Sequence, residues 1–241
     1  MRKVASSLLK LFVMFLAITV GCAAAEARRV KKKTPRPRLN MPPHWTWPPN
    51  TQMKADGRVC LRRLTQLGVD WARGPATRKI ATPIVLPSME IGGIKLTSIW
   101  RKGPFPMDCF LALAFAERGS AALREVGVRE LRFAGIHDYR TVAGKNVLSR
   151  HALGLAMDVF ELVDDEGERH VVKTDYRAGD GLLWDAEDAI NDTGAFRMLL
   201  TPGNDPQHHY DHYHFEARTS TEAVEPALRV MARPLDRSLS P

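Results

Sequence analysis

The segment SRHALGLAMDVF, residues 149–160, limits the possible folds more than any other, because it sets a carboxylate inside an apolar strand pattern. Residues 155–163 read as a strand. Side chains alternate along a strand, so Asp158 shares a face with Ala156 and Phe160. An ionised carboxylate buried on such a face is costly unless something compensates it, and a metal ion would. His151 stands seven residues earlier, and Gly154 between them can make the bend that feeds a turn into the strand.

The chain has eight histidines, and His208, His209, His212 and His214 fall together in HHYDHYH. Residues 209–217 read as a strand, which turns His212 and His214 to one side and Asp211 to the other. One of the two histidines can bind a metal while the other faces its water or a substrate. Three protein ligands plus a water make the open site expected of a zinc hydrolase, where the bound water has a pKa of about 7. His170 and His208 are assigned no role, His137 is read as structural and His44 as an incidental linker residue.

The remainder of the chain falls into a leader, a linker and one domain. Residues 1–27 have a basic start, an apolar run from Leu11 to Val20 and the small residues GCAAAEA, the layout of an export signal. Cleavage after Ala25 or Ala27 fits, and TVGC is a loose lipoprotein box that would lipidate Cys22. Residues 28–50 form a basic, proline-rich linker expected to be extended and solvated. The linker is read first as a spacer; membrane attachment through Cys22 or this linker, and contact of the linker with anionic wall polymer, are the other expectations. Residues 51–220 form the domain and 221–241 a tail.

Of 35 Lys and Arg, 10 lie in residues 1–50, against 1 of 27 Asp and Glu; the rest of the chain carries 25 basic and 26 acidic residues. The basic character thus belongs to the leader and linker, which argues against a nucleic-acid-binding core. Outside the leader only Cys60 and Cys109 remain. In an oxidising compartment an even pair implies a disulfide.

Helical spacing of Cys60, Leu61, Leu64 and Leu67 predicts a helix stopping near Gly68. A strand is expected at 82–86, a hairpin about Gly92 and Gly93, a central buried helix over 107–126 and a strand over 128–136. DDEG would turn the 155–163 strand back into a second one, RHVVKTDY, and residues 184–200 would be helical in part. The expected class is α+β, a small, mainly antiparallel sheet with helices packed on one side.

SRHALGLAMD resembles the Ser-x-His-x-x-Gly-x-Ala-x-Asp pattern of the D-Ala-D-Ala metallopeptidases, and His212-Tyr213-His214 resembles their later His-x-His. That group includes the lysostaphin-type peptidases and the hedgehog signalling domain. More closely, Cys60 to Phe215 is similar to the bacterial extensin-like C-terminal family, although Asp138-Tyr139 and the region of Phe196 lack a second cysteine pair common there. The resemblance implies a hedgehog or D-Ala-D-Ala peptidase-like fold, with zinc on His151, Asp158 and His214. It implies His212 as base or transition-state stabiliser, supported by His209, and Asp211 as the alternative base. Arg140 would receive the substrate's carboxylate or carbonyl, and Ser149 would brace the site by hydrogen bonding. The implied activity is zinc-dependent D,D- or L,D-hydrolysis of peptidoglycan stem peptides or cross-links by an exported, periplasmic or envelope protein. The alternative is a non-catalytic zinc module that binds the wall or a partner.

Overall fold

The computed structural model describes residues 40–222; the leader, residues 28–39 of the linker and all but the start of the tail lie outside them. Helix α1, Thr51–Gln66, starts where Asn50 accepts a hydrogen bond from the Met53 amide, and ends at Leu67. It buries Gly57, Cys60 and Leu64, a stripe at helical spacing. Short strands β1 (Ala72–Arg73), β2 (Pro83–Val85) and β5 (Met107–Asp108) form a small antiparallel sheet in the order β1-β2-β5.

The main sheet contains β3 (Glu90–Ile91), β4 (Ile94–Ser98), β6 (Val128–Gly135), β7 (Ala156–Asp164), β8 (Arg169–Val171), β9 (Phe196–Leu200) and β10 (Tyr213–Ala217). Its order is β3-β4-β6-β7-β10-β9, with β8 also paired to β7. All pairings are antiparallel except β4 with β6. This is the α+β class expected, with one parallel pair made by a helical crossover. The crossover is continuous: α2 (Cys109–Ala114), a π-helical turn (Phe115–Gly119) and α3 (Ser120–Glu125). Helices α4 (Val172–Ala178) and α5 (Gly181–Thr193) follow β8.

Alternation along β10 divides the sheet's chemistry. Tyr213 and Phe215 enter the core, where Phe115, Phe196 and Phe215 pack edge-on or tilted at 4.8–5.3 Å. His214 and Glu216 carry the opposite face. The Cys60–Cys109 disulfide joins α1 to the start of α2, with Cα atoms 6.2 Å apart. A loop of 49 residues closed in this way stabilises a fold by roughly 4 kcal/mol in the chain-entropy account.

Four expectations need correction. The helix expected over 107–126 begins at Cys109, because Met107 and Asp108 pair with β2 and Asp108 caps the helix through the Phe110 amide. The strand expected after the DDEG turn is only Arg169–Val171; Asp175 accepts from the Val171 amide and starts α4 instead. The strand expected over 209–217 begins at Tyr213, because Asp205 binds both the His209 ring and, through its carbonyl, the His209 amide, winding a turn there. Residues 40–50 are not a solvated linker end. Met41 and Trp45 pack against the core, Trp45 stacks on Trp47, the Lys79 ammonium lies over both rings, and Asn40 donates to the Leu148 carbonyl. The basic residues stop at Arg38, and the aromatic residues beyond it have apolar surface to bury.

Candidate metal centre

His151 sits on a single 3-10 turn, Arg150–Leu153, whose N-cap is Ser149. The Ser149 hydroxyl accepts from the His151 amide at 3.3 Å, the bracing contact expected of it. The turn ends at Gly154 with φ +68, a conformation that strains any residue with a side chain. An added Cβ there would also lie 2.8 Å from the Asp108 amide nitrogen. That amide donates to the Gly154 carbonyl, so the turn docks on the residue that caps α2. Asp158 lies on β7 with His214 of β10 directly across from it.

Three ligand atoms converge. His151 Nε2 is 3.0 Å from Asp158 Oδ1 and 3.2 Å from His214 Nδ1, and His214 Nδ1 is 2.7 Å from Asp158 Oδ1. The other nitrogen of each ring is already engaged. His151 Nδ1 donates to the Ile136 carbonyl at 2.9 Å, and His214 Nε2 donates to Glu216 Oε1 at 3.1 Å. These bonds present His151 Nε2 and His214 Nδ1 to the carboxylate, each able to donate a proton to Asp158 or to coordinate a cation. In a tetrahedral zinc site with bonds of about 2.0–2.1 Å, ligand atoms stand about 3.3 Å apart. The donor types fit such a site and the 3.2 Å between the two histidines approaches its edge length, while the 2.7 Å between His214 and Asp158 is a hydrogen-bond distance that a bound ion would have to widen.

Electrostatics follow from the burial of opposite charges. Burial pushes the Asp158 carboxyl up, but His151 and His214 outweigh it and hold Asp158 well below the usual carboxylate range. Burial disfavours the charged form of His214, yet Asp158 and Glu216 raise it to about 9. Glu216, buried beside His214, Arg197 and Arg150, is driven down to about 2 against the effect of burial. A metal ion bound at His214 would have to displace the proton held there.

The remaining expected residues gather around this point. His212 Nδ1 donates to Asp211 at 2.7 Å, leaving Nε2 to face Asp158 Oδ1 at 3.5 Å. The geometry makes Asp211 the partner that orients His212. The His212 ring stacks on Phe160, 5.0 Å between centroids at 19°. His209 is braced by Asp205 at 2.8 Å and its ring lies 5.0 Å from that of His212. Burial, then the charge of His214, pushes the His209 pKa down. Arg140, half exposed, pairs with Asp138 at 3.0 Å and reaches within 3.7 Å of Asp158. A cleft of about 670 Å³ opens over these groups, with Lys145, Val147 and Met198 among its walls.

Glu216 was not singled out from the sequence, although His212-x-His214-x-Glu216 continues one alternation. Beyond it, Arg197 bridges Glu216 and Glu222, and Glu222 forks onto the buried Arg150 through two hydrogen bonds. A second group, Asp164, Glu168 and His170, also brings ligand atoms close. There Asp164 accepts from the amides of Glu166 and Glu168 while His170 pairs with Asp180 at 2.7 Å, contacts that close a turn.

Residues 58–225 match the family described as extensin-like protein C-terminus. No curated protein and no solved structure matches the chain.

Proposed function

We propose that this chain, which belongs to the extensin-like C-terminal family, hydrolyses amide bonds in peptidoglycan stem peptides or cross-links with the help of zinc. The observation carrying the reading is the convergence of His151 Nε2, Asp158 Oδ1 and His214 Nδ1 within 3.2 Å of one another, beside a histidine whose Nε2 faces the same carboxylate. His151, Asp158 and His214 would hold the zinc, which when bound acidifies water and polarises a carbonyl.

The chain's own groups supply the rest. His212 Nε2 takes the proton of the attacking water and returns it to the leaving amine nitrogen. Asp211 fixes the required tautomer of His212 and stabilises the imidazolium between those two transfers. Arg140 offers a planar fork to a substrate carboxylate or carbonyl oxygen. His209 packs edge-on against His212 and limits its rotation. An extracytoplasmic location accords with the disulfide, and no helix among the described residues is long and apolar enough to cross a membrane.

The test is digestion of intact sacculi and defined cross-linked muropeptides by zinc-loaded protein, with products weighed. Wild type is expected to release new peptides. His212→Ala should keep one zinc per chain and lose 10²–10⁴-fold in turnover, the usual scale for a general base. Zinc-loaded wild type that binds the wall as well as His212→Ala does, with no turnover by either, would replace the peptidase with a binding module.

A further inference from the structure

We infer that Trp100 and Phe160 form a saccharide subsite beside the metal centre, stacking a pyranose ring of the glycan to which the stem peptide is attached. The inference rests on the wall-peptide reading above. Trp100 follows β4 and is 75% exposed, the most exposed large hydrophobic side chain among the described residues. It does not stand alone. Its ring lies 5.9 Å from Phe160, and Phe160 stacks on His212, whose Nε2 is 3.5 Å from Asp158 Oδ1. Three rings therefore run without a break from the ligand cluster to solvent.

The loop backbone is set for this. The Trp100 and Arg101 amides approach the Ser98 hydroxyl at 3.5 and 3.3 Å, folding the chain back at the strand end. The sheet beside Asp158 is open. Gly135 is its partner on β6, and a Cβ there would meet no heavy atom of the described residues within 4 Å.

The occupant follows from the surroundings. An apolar side chain calls for a dry pocket, and Trp100 stands 75% exposed to water. A pyranose has an apolar C–H face for an aromatic ring and hydroxyls that stay hydrated or meet cations. Arg101 and Lys102, both exposed, supply such donors next in the chain. The ring steps of 5.0 and 5.9 Å set Trp100 no more than about 11 Å from His212, the span of about three extended residues. The sugar would thus sit about three residues from the cleaved bond, which matches a stem peptide cut near its middle while still joined to glycan.

The experiment compares wild type, Trp100→Ala and Trp100→Phe, all full-length and zinc-loaded, on a muropeptide and on the same stem peptide without sugars. It adds saturation-transfer NMR with tetra-N-acetylchitotetraose. Wild type should prefer the glycan-bearing substrate about tenfold through KM and transfer saturation to sugar ring protons. Trp100→Ala should lose both effects while its kcat/KM on the bare peptide stays unchanged; Trp100→Phe should keep most of each. Equal use of both substrates by wild type with no NMR transfer overturns the subsite and leaves the peptidase standing. Sugar binding that depends on Trp100, with neither substrate cut, does the reverse. Equal loss on both substrates in Trp100→Ala means the ring contacts peptide, and overturns the inference.

Discussion

Glu216 decides how His214 meets a cation. It accepts the Nε2 proton at 3.1 Å and is itself fixed by Arg197. Second partners of metal-bound histidines commonly govern affinity by 10–100-fold. Glu216→Gln is therefore expected to weaken zinc binding by that range, as read by competition with a chelator of known affinity, and to cost some stability because it leaves Arg197 with one carboxylate fewer. The clustering of His151, Asp158 and His214 was legible because a carboxylate in an apolar strand and grouped histidines stand out in the sequence. Glu216 was legible by the same period-two rule that grouped His212 with His214, but a carboxylate at the end of a strand draws no notice without its partner. The pairing of Asp211 with His212 was hidden, because a regular strand would have turned neighbours to opposite faces. Only the turn made by Asp205 brings the two side chains together.

The 3-10 turn carrying His151 is locked by one residue. Gly154→Ala puts a side chain at φ +68, costing about 1–2 kcal/mol, and adds a clash with the Asp108 amide. A loss of roughly 2 kcal/mol or more in urea unfolding is expected, together with weaker zinc binding, since His151 shifts with the turn. Strands β2, β4, β6 and β7 were readable from alternation and the Gly92–Gly93 turn from its glycines. The parallel β4–β6 pairing was not, because it depends on where the α2–α3 crossover packs. The π-helical turn in that crossover was equally invisible: its sequence, FAERG, holds one glycine, Gly119, which a helix tolerates and which does not by itself signal a change of helical pitch.

At the scale of the molecule, charge joins distant parts of the chain. Arg150 is 1% exposed, and Glu222 neutralises it from 72 residues away. Removing one member of a buried pair strands the other. Glu222→Gln is expected to destabilise the domain by roughly 3 kcal/mol, measured by thermal or urea unfolding. No local pattern could announce this pair, since each residue alone reads as a surface charge. The cluster of His170 with Asp180 and Asp164 adds a pH dependence. Burial lowers the His170 pKa, but the two carboxylates outweigh it and raise it. Its stabilisation is thus fully present below about pH 6.5, the unfolded value, and is lost as pH rises through the raised folded value. Stability should fall across that window, as read by urea unfolding at a series of pH values, and His170→Gln should flatten the decline.

The Asp158–His214 pairing has a kinetic side. These residues are 56 positions apart, and closing a flexible loop of that length costs about 3–4 kcal/mol of chain entropy. Much of that must be spent before β10 gains its neighbours, so pairing of β7 with β10 is expected late in folding, which low φ-values for substitutions in β10 would check. An unfolded chain carries the same ligands but scatters them. On the proposed reading, zinc would act as a latch on a nearly finished sheet rather than as a seed for it.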